Sequence, residues 1–436
     1  MNVICAYAVN LDAVCDVRSS QLQPLLPPGL SSENIGLKGS ISKMDDLFSS
    51  LLYCMREGSG AEILIESPAL ASRIEQAFTW QMRLGGNAGI MANVLADLGA
   101  KPVLNAPDLG PRLAALLRPE VRLPLSGSLV GPEEAASSKK EGGHEPVHYV
   151  FQFKGGEEIK YGVDSFIIPQ DNRFIASYDP ANACLQSRRD FDSYCLEHIS
   201  FFMGAMVSGF HLLTLQNHRE VLPRKIAQLR SWKKRNPDLF IHLELGSFQS
   251  PQTMSHLLHL ISEVPIDSLG MNEDELTDSA RLFEGSPMAR PPPTWQEMIQ
   301  MAGNLQDKTG VFRVAVHTRD YILSIMKEGR ISAQDEILAL QSGVDAAASL
   351  AAGRSVRAAP PEDYNEKGFA AAAELRRLGA VGYGKGAAHQ SDGRIVSLVP
   401  ARQVSQPMIT VGLGDTATAS IFFCELEAIS GNAALS

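Results

Sequence analysis

Six short apolar runs, many with helical patterns between them, confine this sequence to a narrow set of architectures. Residues 3–9 (VICAYAV) are almost continuously apolar, as a strand covered on both faces must be. Comparable runs recur at residues 101–104, 202–207, 240–245, 266–270 and 312–316. In residues 87–98, Ile90, Met91, Val94, Leu95 and Leu98 fall on one helical face. Strands alternating with helices predict an α/β fold, a doubly wound and mostly parallel sheet flanked by helices.

A second texture interrupts this alternation. Val147, Tyr149, Phe151 and Phe153 alternate with His148, Val150, Gln152 and Lys154, and Gly155-Gly156 offers a hairpin turn. Residues 161–168 and 173–178 read as further strands, with 61–66 as another member. One wet face marks an antiparallel sheet, expected here as a smaller layer over the first. Residues 133–146 are expected to form a polar loop, and Pro291-Pro292-Pro293 and residues 354–363 surface connections.

Charge and cysteine usage remove several function classes. Against 39 Lys plus Arg stand 49 Asp plus Glu, a net charge of −10, so no broad nucleic-acid footprint is expected. A small basic pocket for one anionic ligand stays open. The six cysteines, Cys5, Cys15, Cys54, Cys184, Cys195 and Cys424, lack C-x-x-C or other metal-ligand spacing, which argues against a disulfide framework or structural zinc. Residues 1–18 have no basic stretch ahead of their apolar run and read poorly as a signal peptide. The longest stretch free of Asp, Glu, Lys and Arg near a span's composition, residues 199–215, is shorter than the roughly 20 residues a membrane helix needs. A buried strand with a tight turn is expected there, in a cytoplasmic protein with no membrane partner.

The strongest local chemical signal is Val411-Gly412-Leu413-Gly414-Asp415-Thr416 ahead of a helical run. Glycines let the backbone turn tightly, and the helix start points free N–H groups at the turn, a site suited to phosphate. Asp415 at that start is either a plain cap or, beside a bound phosphoryl group, a base for an attacking hydroxyl. A second glycine cluster, Gly85-Gly86-Asn87-Ala88-Gly89, lacks the dinucleotide fingerprint and no clear strand precedes it. Asn87 there is a helix cap, or it reads the hydroxyls of a polyol that the glycines admit.

Two acidic clusters follow predicted strands, His242-Leu243-Glu244 and Asn272-Glu273-Asp274-Glu275. At the C-terminal ends of parallel strands such oxygens face the ligand crevice and suit Mg²⁺. Asn272 and Glu275 equally fit a capping box, and His242 on an apolar strand fits a satisfied core histidine. Asn10 and Asp12 after the first strand either bracket sugar hydroxyls or bond their own turn. Arg173 either meets a substrate phosphate or is an ordinary surface arginine.

Taken in order, these pieces resemble the ADP-dependent glucokinase and phosphofructokinase family within the ribokinase-like fold. The resemblance rests on Asn10 and Asp12, GGNA at Gly85 to Ala88, NRFIAS at Asn172 to Ser177, HLELGS at His242 to Ser247, LGMNEDEL at Leu269 to Leu276, VHTRDYILSI at Val316 to Ile325 and TVGLGDT at Thr410 to Thr416. It implies a large nucleotide-binding domain, residues 1–12, 85–122 and 179–436, and a β-rich lid, residues 13–84 and 123–178. It implies transfer of the β-phosphate of ADP to a sugar hydroxyl, giving AMP, with Mg²⁺. Asp415 then corresponds to the catalytic base, and Gly412, Leu413 and Gly414 to the anion hole. Asn10, Asp12, Gly86, Asn87 and Arg173 correspond to substrate positions, His317 and Thr318 to nucleotide positions, and Glu244, Asn272 and Glu275 to positions that hold Mg²⁺, often through water.

The resemblance leaves the acceptor open. A glucokinase is expected to offer a lid carboxylate, for which Asp45 and Asp46 are candidates. A phosphofructokinase is expected to offer cations, for which Arg173, Lys154 and Lys160 are candidates. Rival readings are a kinase of another sugar such as a pentose phosphate, an ATP-using relative, or a non-catalytic sugar- or nucleotide-binding regulator. A nicotinamide-dependent dehydrogenase is remote because the fingerprint is missing. A monomer is compatible with a lid that covers its own site.

Overall fold

The computed structural model describes residues 1–27, 30–31, 33–138, 144–162, 164–284 and 292–433. Its centre is a ten-stranded sheet. From one edge the strands run Lys101–Leu104, Asn2–Ala6, Gly204–Val207, Phe240–Glu244, Ser268–Asn272 and Arg313–His317, all parallel. Tyr321–Lys327, Arg394–Pro400, Gly386–Ser391 and Val381–Tyr383 continue it by antiparallel pairing. The apolar runs in the sequence became this sheet because their side chains are covered on both faces. Val3 and Cys5 belong to one hydrophobic cluster, Ile4 and Ala6 to another. Among the described residues no helix is long and apolar enough to cross a membrane, and residues 199–215 hold the Gly204–Val207 strand between short 3₁₀ turns.

Chain order along the parallel strands reverses at Asn2–Ala6. The strand that follows it in this sheet pairs on one side, and all later parallel strands extend from the other. Such a switch point opens a crevice at the strand C-terminal ends, because the connections leave toward opposite sides. Here the crevice begins at Ala8.

The second sheet has five strands in the order Ala61–Leu64, Asn172–Tyr178, Val147–Phe153, Asn10–Asp16 and Gln81–Gly85. It is mixed rather than antiparallel. Asn10–Asp16 runs parallel to Val147–Phe153, and Ala61–Leu64 parallel to Asn172–Tyr178. Its strands come from separate excursions of the chain, and the long crossovers between them permit parallel pairing, which a tight hairpin forbids. Asn10–Asp16 therefore belongs to this sheet although it follows the first strand of the other by only a few residues.

Three local expectations need correction. Gly155-Gly156 does not fold Val147–Phe153 back onto its successor, and residues 161–168 are not one strand. Glu158–Tyr161 and Asp164–Ile167 instead pair with each other as a separate hairpin. Residues 133–146 are not all loop, because Pro132–Ser137 is a helix with proline in its first turn and Glu133 and Glu134 beside the positive helix end. Residues 139–143 of that stretch and Pro291 of the proline run lie outside the described residues.

The Leu413–Ala433 helix packs on the large sheet by apolar contact, and it brings one carboxyl beside a buried arginine of that sheet. Arg313, from a central strand and 1% exposed, donates to Glu336 at 2.8 Å. Glu425 of this helix lies within ion-pair distance of the same guanidinium, 2.7 Å, without hydrogen-bond alignment. Burial and the neighbouring Glu336 charge push the Glu425 carboxyl up to about 8, against the pull of Arg313.

Candidate active site

A cleft of about 430 Å³ opens between the two sheets at the switch point. Two helix starts meet there. The Gln81–Gly85 strand, which the sequence did not reveal, turns at Gly86 into the Asn87–Asp97 helix. Gly86 has φ +76°, and a Cβ there would lie 2.5 Å from Ala8 O. Only glycine fits both demands. Asn87 is the first helical residue rather than the cap, and its Nδ2 donates to Asp415 Oδ1 at 2.7 Å.

Asp415 stands in the first turn of the Leu413–Ala433 helix. The first recorded backbone bond of that turn is Thr416 N–H to Gly412 O, 3.0 Å, so the N–H groups of Leu413, Gly414 and Asp415 have no intrahelical acceptor. Gly412 has φ +76°, which orients the turn and leaves room for an anion before the helix. Gly412, Asp415 and Thr416 line the cleft. Burial raises the Asp415 carboxyl to about 6, with the Glu244 charge adding and the Asn87 amide opposing. Such a carboxylate is ionised at neutral pH yet a better proton acceptor than a solvated one.

Cross-strand register builds the opposite wall. Asp12 is paired with Arg83 on one side and His148 on the other, and His148 with Ser177, so one row crosses four strands. Val14, Val150, Ile175 and Glu62 form the next row, since residues two apart share a face. Asn10 Nδ2 donates to Asp12 Oδ1 at 2.7 Å. A Cβ on Gly85 would overlap both side chains. His148 Nε2 lies 2.9 Å from Asp179 and its Nδ1 3.6 Å from Glu62. Burial lowers the His148 pKa, but Asp179, Glu62 and Asp12 outweigh it and hold it at about 9, so the ring carries charge at neutral pH. Asp12 is raised by burial, opposed by His148.

Of the residues singled out from the sequence, Asn10, Asp12, Gly86, Asn87, Arg173, Gly412 and Asp415 line this one cleft. Leu413, Gly414, Glu244, Asn272, Glu275, His317 and Thr318 are not among the lining residues. Gly414 abuts His317, where an added Cβ would approach Cε1 to 2.8 Å. His317 Nε2 is 2.9 Å from Glu244 Oε1, and His242 Nε2 is 3.0 Å from Glu244 Oε2. Burial opposes ionisation of Glu244, yet the two imidazoles hold its carboxyl down at about 2. His317, lowered by burial and raised more by Glu244, Glu275 and Asp415, reaches about 9. His242 is the satisfied core histidine expected, with Ser268 Oγ on its other nitrogen at 2.9 Å.

Asn272 and Glu275 form the capping box, Asn272 N–H and Nδ2 donating to Glu275 and Glu275 N–H returning to Asn272 Oδ1. Burial raises the Glu275 carboxyl to about 7, with Glu244 and Asp415 adding. Among the described residues no group of three or more His, Cys, Asp and Glu could hold a metal ion directly. The Thr318 hydroxyl is occupied within the hairpin turn, donating to Tyr321 O and accepting from the N–H groups of Asp320 and Tyr321.

Asp45 and Asp46 are not in the cleft. Asp46 accepts from Ser42 and Lys43 at the start of its own helix, and Asp45 is exposed. Lys154 and Lys160 are exposed outside it as well. The cleft also holds Glu62, His148, His211 and Arg83, none of which had been singled out. A signal existed for His148, which shares the wet face of its alternating strand with Val150. Glu62 and His211 carried none.

The model for the ADP-specific phosphofructokinase/glucokinase conserved region matches residues 1–424. The ADP-dependent glucose/glucosamine kinase of Pyrococcus furiosus is 27% identical over 444 residues, covering 98% of this chain and 94% of that one. The ADP-specific phosphofructokinase of Pyrococcus horikoshii is 25% identical over 448 residues, with 98% of each chain covered. A solved phosphofructokinase from Pyrococcus horikoshii OT3 with AMP superposes with a TM-score of 0.81 at 23% identity, over 99% of this chain and 98% of that one.

Proposed function

The chain belongs to the ADP-specific phosphofructokinase/glucokinase family, and from that premise we propose that it transfers the β-phosphate of ADP to a hydroxyl of a hexose, releasing AMP. The observation that carries the mechanism is the Asn87–Asp415 contact, which joins the two helix starts across one cleft. In this reading Asp415 takes the proton of the attacking hydroxyl. The free N–H groups of Leu413 and Gly414 and the helix terminus stabilise the charge on the transferred group. The five-stranded sheet acts as a lid whose closure excludes water from the phosphoanhydride.

Glucose is the acceptor favoured. Glu62 is the lid carboxylate expected of a glucokinase, and with Asp12 and Asn10 it offers acceptors to several hydroxyls at once. Arg173 and Arg83 on the same wall favour a hexose 6-phosphate as a second acceptor. The relatives' names cover both choices, glucose or glucosamine in one and phosphofructokinase in the other. The enzyme is read as cytoplasmic, with six free cysteines, and as able to work as a monomer.

Mg²⁺ fits the residues behind the cleft as a water-held ion. Glu244 and Glu275 are hard oxygen donors, and neighbouring negative charge contributes to the raised pKa values of Glu275 and Asp415, which a divalent cation would relieve. Both carboxylates already accept hydrogen bonds on both oxygens, so they would orient bound water rather than displace it. When bound, the ion would supply charge neutralisation on the phosphates. AMP formation should be assayed with ADP and with ATP against glucose, fructose 6-phosphate and a pentose panel. Turnover with ATP alone would overturn the donor, and no turnover with any sugar would overturn the enzyme reading.

A further inference from the structure

The large sheet carries a second cavity on the face that bears Ile4, Ala6 and Tyr7, away from the helices that form the catalytic cleft. Residues 185–187 and the Arg189–Glu197 and His218–Arg235 helices line it as an open pocket, with a volume of about 420 Å³. That is the size range of small-molecule sites.

Its wall holds a buried cation with no carboxylate in direct contact; Asp192, which also lines the cavity, reaches it only through Ser187. Lys225 is 4% exposed. Its Nζ donates to Ser187 Oγ at 2.9 Å and lies 4.2 Å from the centre of the Tyr7 ring. No carboxylate stands within ion-pair distance of it among the described residues. The nearby Asp192 has both oxygens engaged, accepting from Ser187 Oγ at 2.7 Å and Gln228 Nε2 at 2.5 Å. Arg224, exposed and also unpaired among the described residues, adds a second positive charge on the same wall.

The other buried cations of this fold are treated differently. Lys233 has Asp267 at 2.8 Å, and Arg313 has Glu336 at 2.8 Å. Buried charge is costly unless paired, and the chain follows that rule at those positions. At Lys225 the partner is missing, and the space beside it is a cavity. Burial holds the Lys225 pKa down at about 8, with Asp192 opposing and Arg224 adding, the behaviour of an ammonium short of negative charge.

We propose that this cavity binds a small phosphate-bearing anion, held by Lys225 and Arg224. Two cations on one wall suit a dianion better than a lone carboxylate. The remaining volume and the polar groups of Gln186 and Ser231 suit an organic part bearing hydroxyls. The assignment is independent of the catalytic reading, because none of these residues lines the cleft.

Trp232 lines this cavity and is 1% exposed, so its fluorescence reports on it. The full chain should be titrated with inorganic phosphate and, separately, with glycerol 3-phosphate, in chloride buffer of matched ionic strength. A saturable change is expected that is lost in Trp232→Phe and weakened at least roughly tenfold in Arg224→Gln and in Lys225→Met, as for a lost charge-assisted bond. The tighter of the two ligands identifies the source as free ion or ester. No saturable change with either anion overturns the proposal, as does a change that Arg224→Gln leaves intact. Arg224→Gln alone decides if Lys225→Met fails to fold, and its turnover in phosphate-free buffer is expected to match the parent chain.

Discussion

Glu244 sits between His242 and His317 behind Asp415, while Asp12 and Glu62 flank the half-buried His148 in front of it, so an imidazole faces carboxylates on each side of the catalytic candidate. The rear cluster is closed. Two imidazoles serve one carboxylate, both its oxygens are engaged, and it is 3% exposed. The front cluster is open. One imidazole serves Asp179, Glu62 and Asp12, and Asp12 and Glu62 face the cleft with accepting capacity to spare. The closed cluster fixes charge before any ligand arrives. The open one leaves lone pairs for incoming hydroxyls, and its cost in unpaired burial appears as the raised pKa of Asp12.

The comparison can be broken most sharply at the residue between the clusters. Asp415→Asn keeps the shape and removes the base, so kcat for AMP formation should fall about 10²- to 10⁴-fold; full activity would remove Asp415 from the chemistry. The next largest effect separates the clusters by stability. Glu244→Ala leaves buried imidazoles without their anion and should cost about 3 kcal/mol in chemical denaturation. Glu62→Ala, in the open cluster, should cost well under half of that, and equal losses would dissolve the distinction.

Glu62→Ala should instead lower kcat/KM for glucose by about 10- to 100-fold, as for a charged hydrogen bond to a sugar hydroxyl, while fructose 6-phosphate turnover changes little. An equal loss on both substrates would make Glu62 a structural residue. The smallest effect is in pH. His317 and His148 are both raised from 6.5 to about 9 in the folded chain. Each therefore contributes stability that is complete below pH 6.5 and is lost as pH rises through about 9. The melting temperature should decline over that window, and His317→Gln or His148→Gln should flatten the decline. A profile unchanged in both variants would contradict the charged state of both rings.

The rear cluster was legible where its parts are close in sequence, while His317, 73 residues from Glu244, entered only through the family resemblance. His242 and Glu244 are two apart on one strand and so share a face, and Asn272 and Glu275 have capping-box spacing. The glycine turns at Gly86 and Gly412 were legible for the same reason. Glu62, His148 and Arg83 come from three separate strands and meet only through strand register, and His211 comes from a 3₁₀ turn after a strand of the large sheet, so no local spacing encodes the set. The mixed pairing of the small sheet was hidden likewise, since alternation reports a wet face and not strand direction. Asp45 and Asp46 misled because acidic residues at a helix start satisfy the helix first.

The packing of the Leu413–Ala433 helix has a mechanical consequence. Glu425 and Asp415 lie ten residues apart on the Leu413–Ala433 helix, about 15 Å along its axis. Seated near that point by Phe422 and Leu426, which pack with Phe240 of the sheet, the helix is an anvil, and its catalytic end has little freedom to swing. Approach of donor and acceptor then falls to the small sheet, the hammer of the pair. Amide exchange should be slowest in the turn around Glu425 and faster in the strands that carry Glu62 and Arg173.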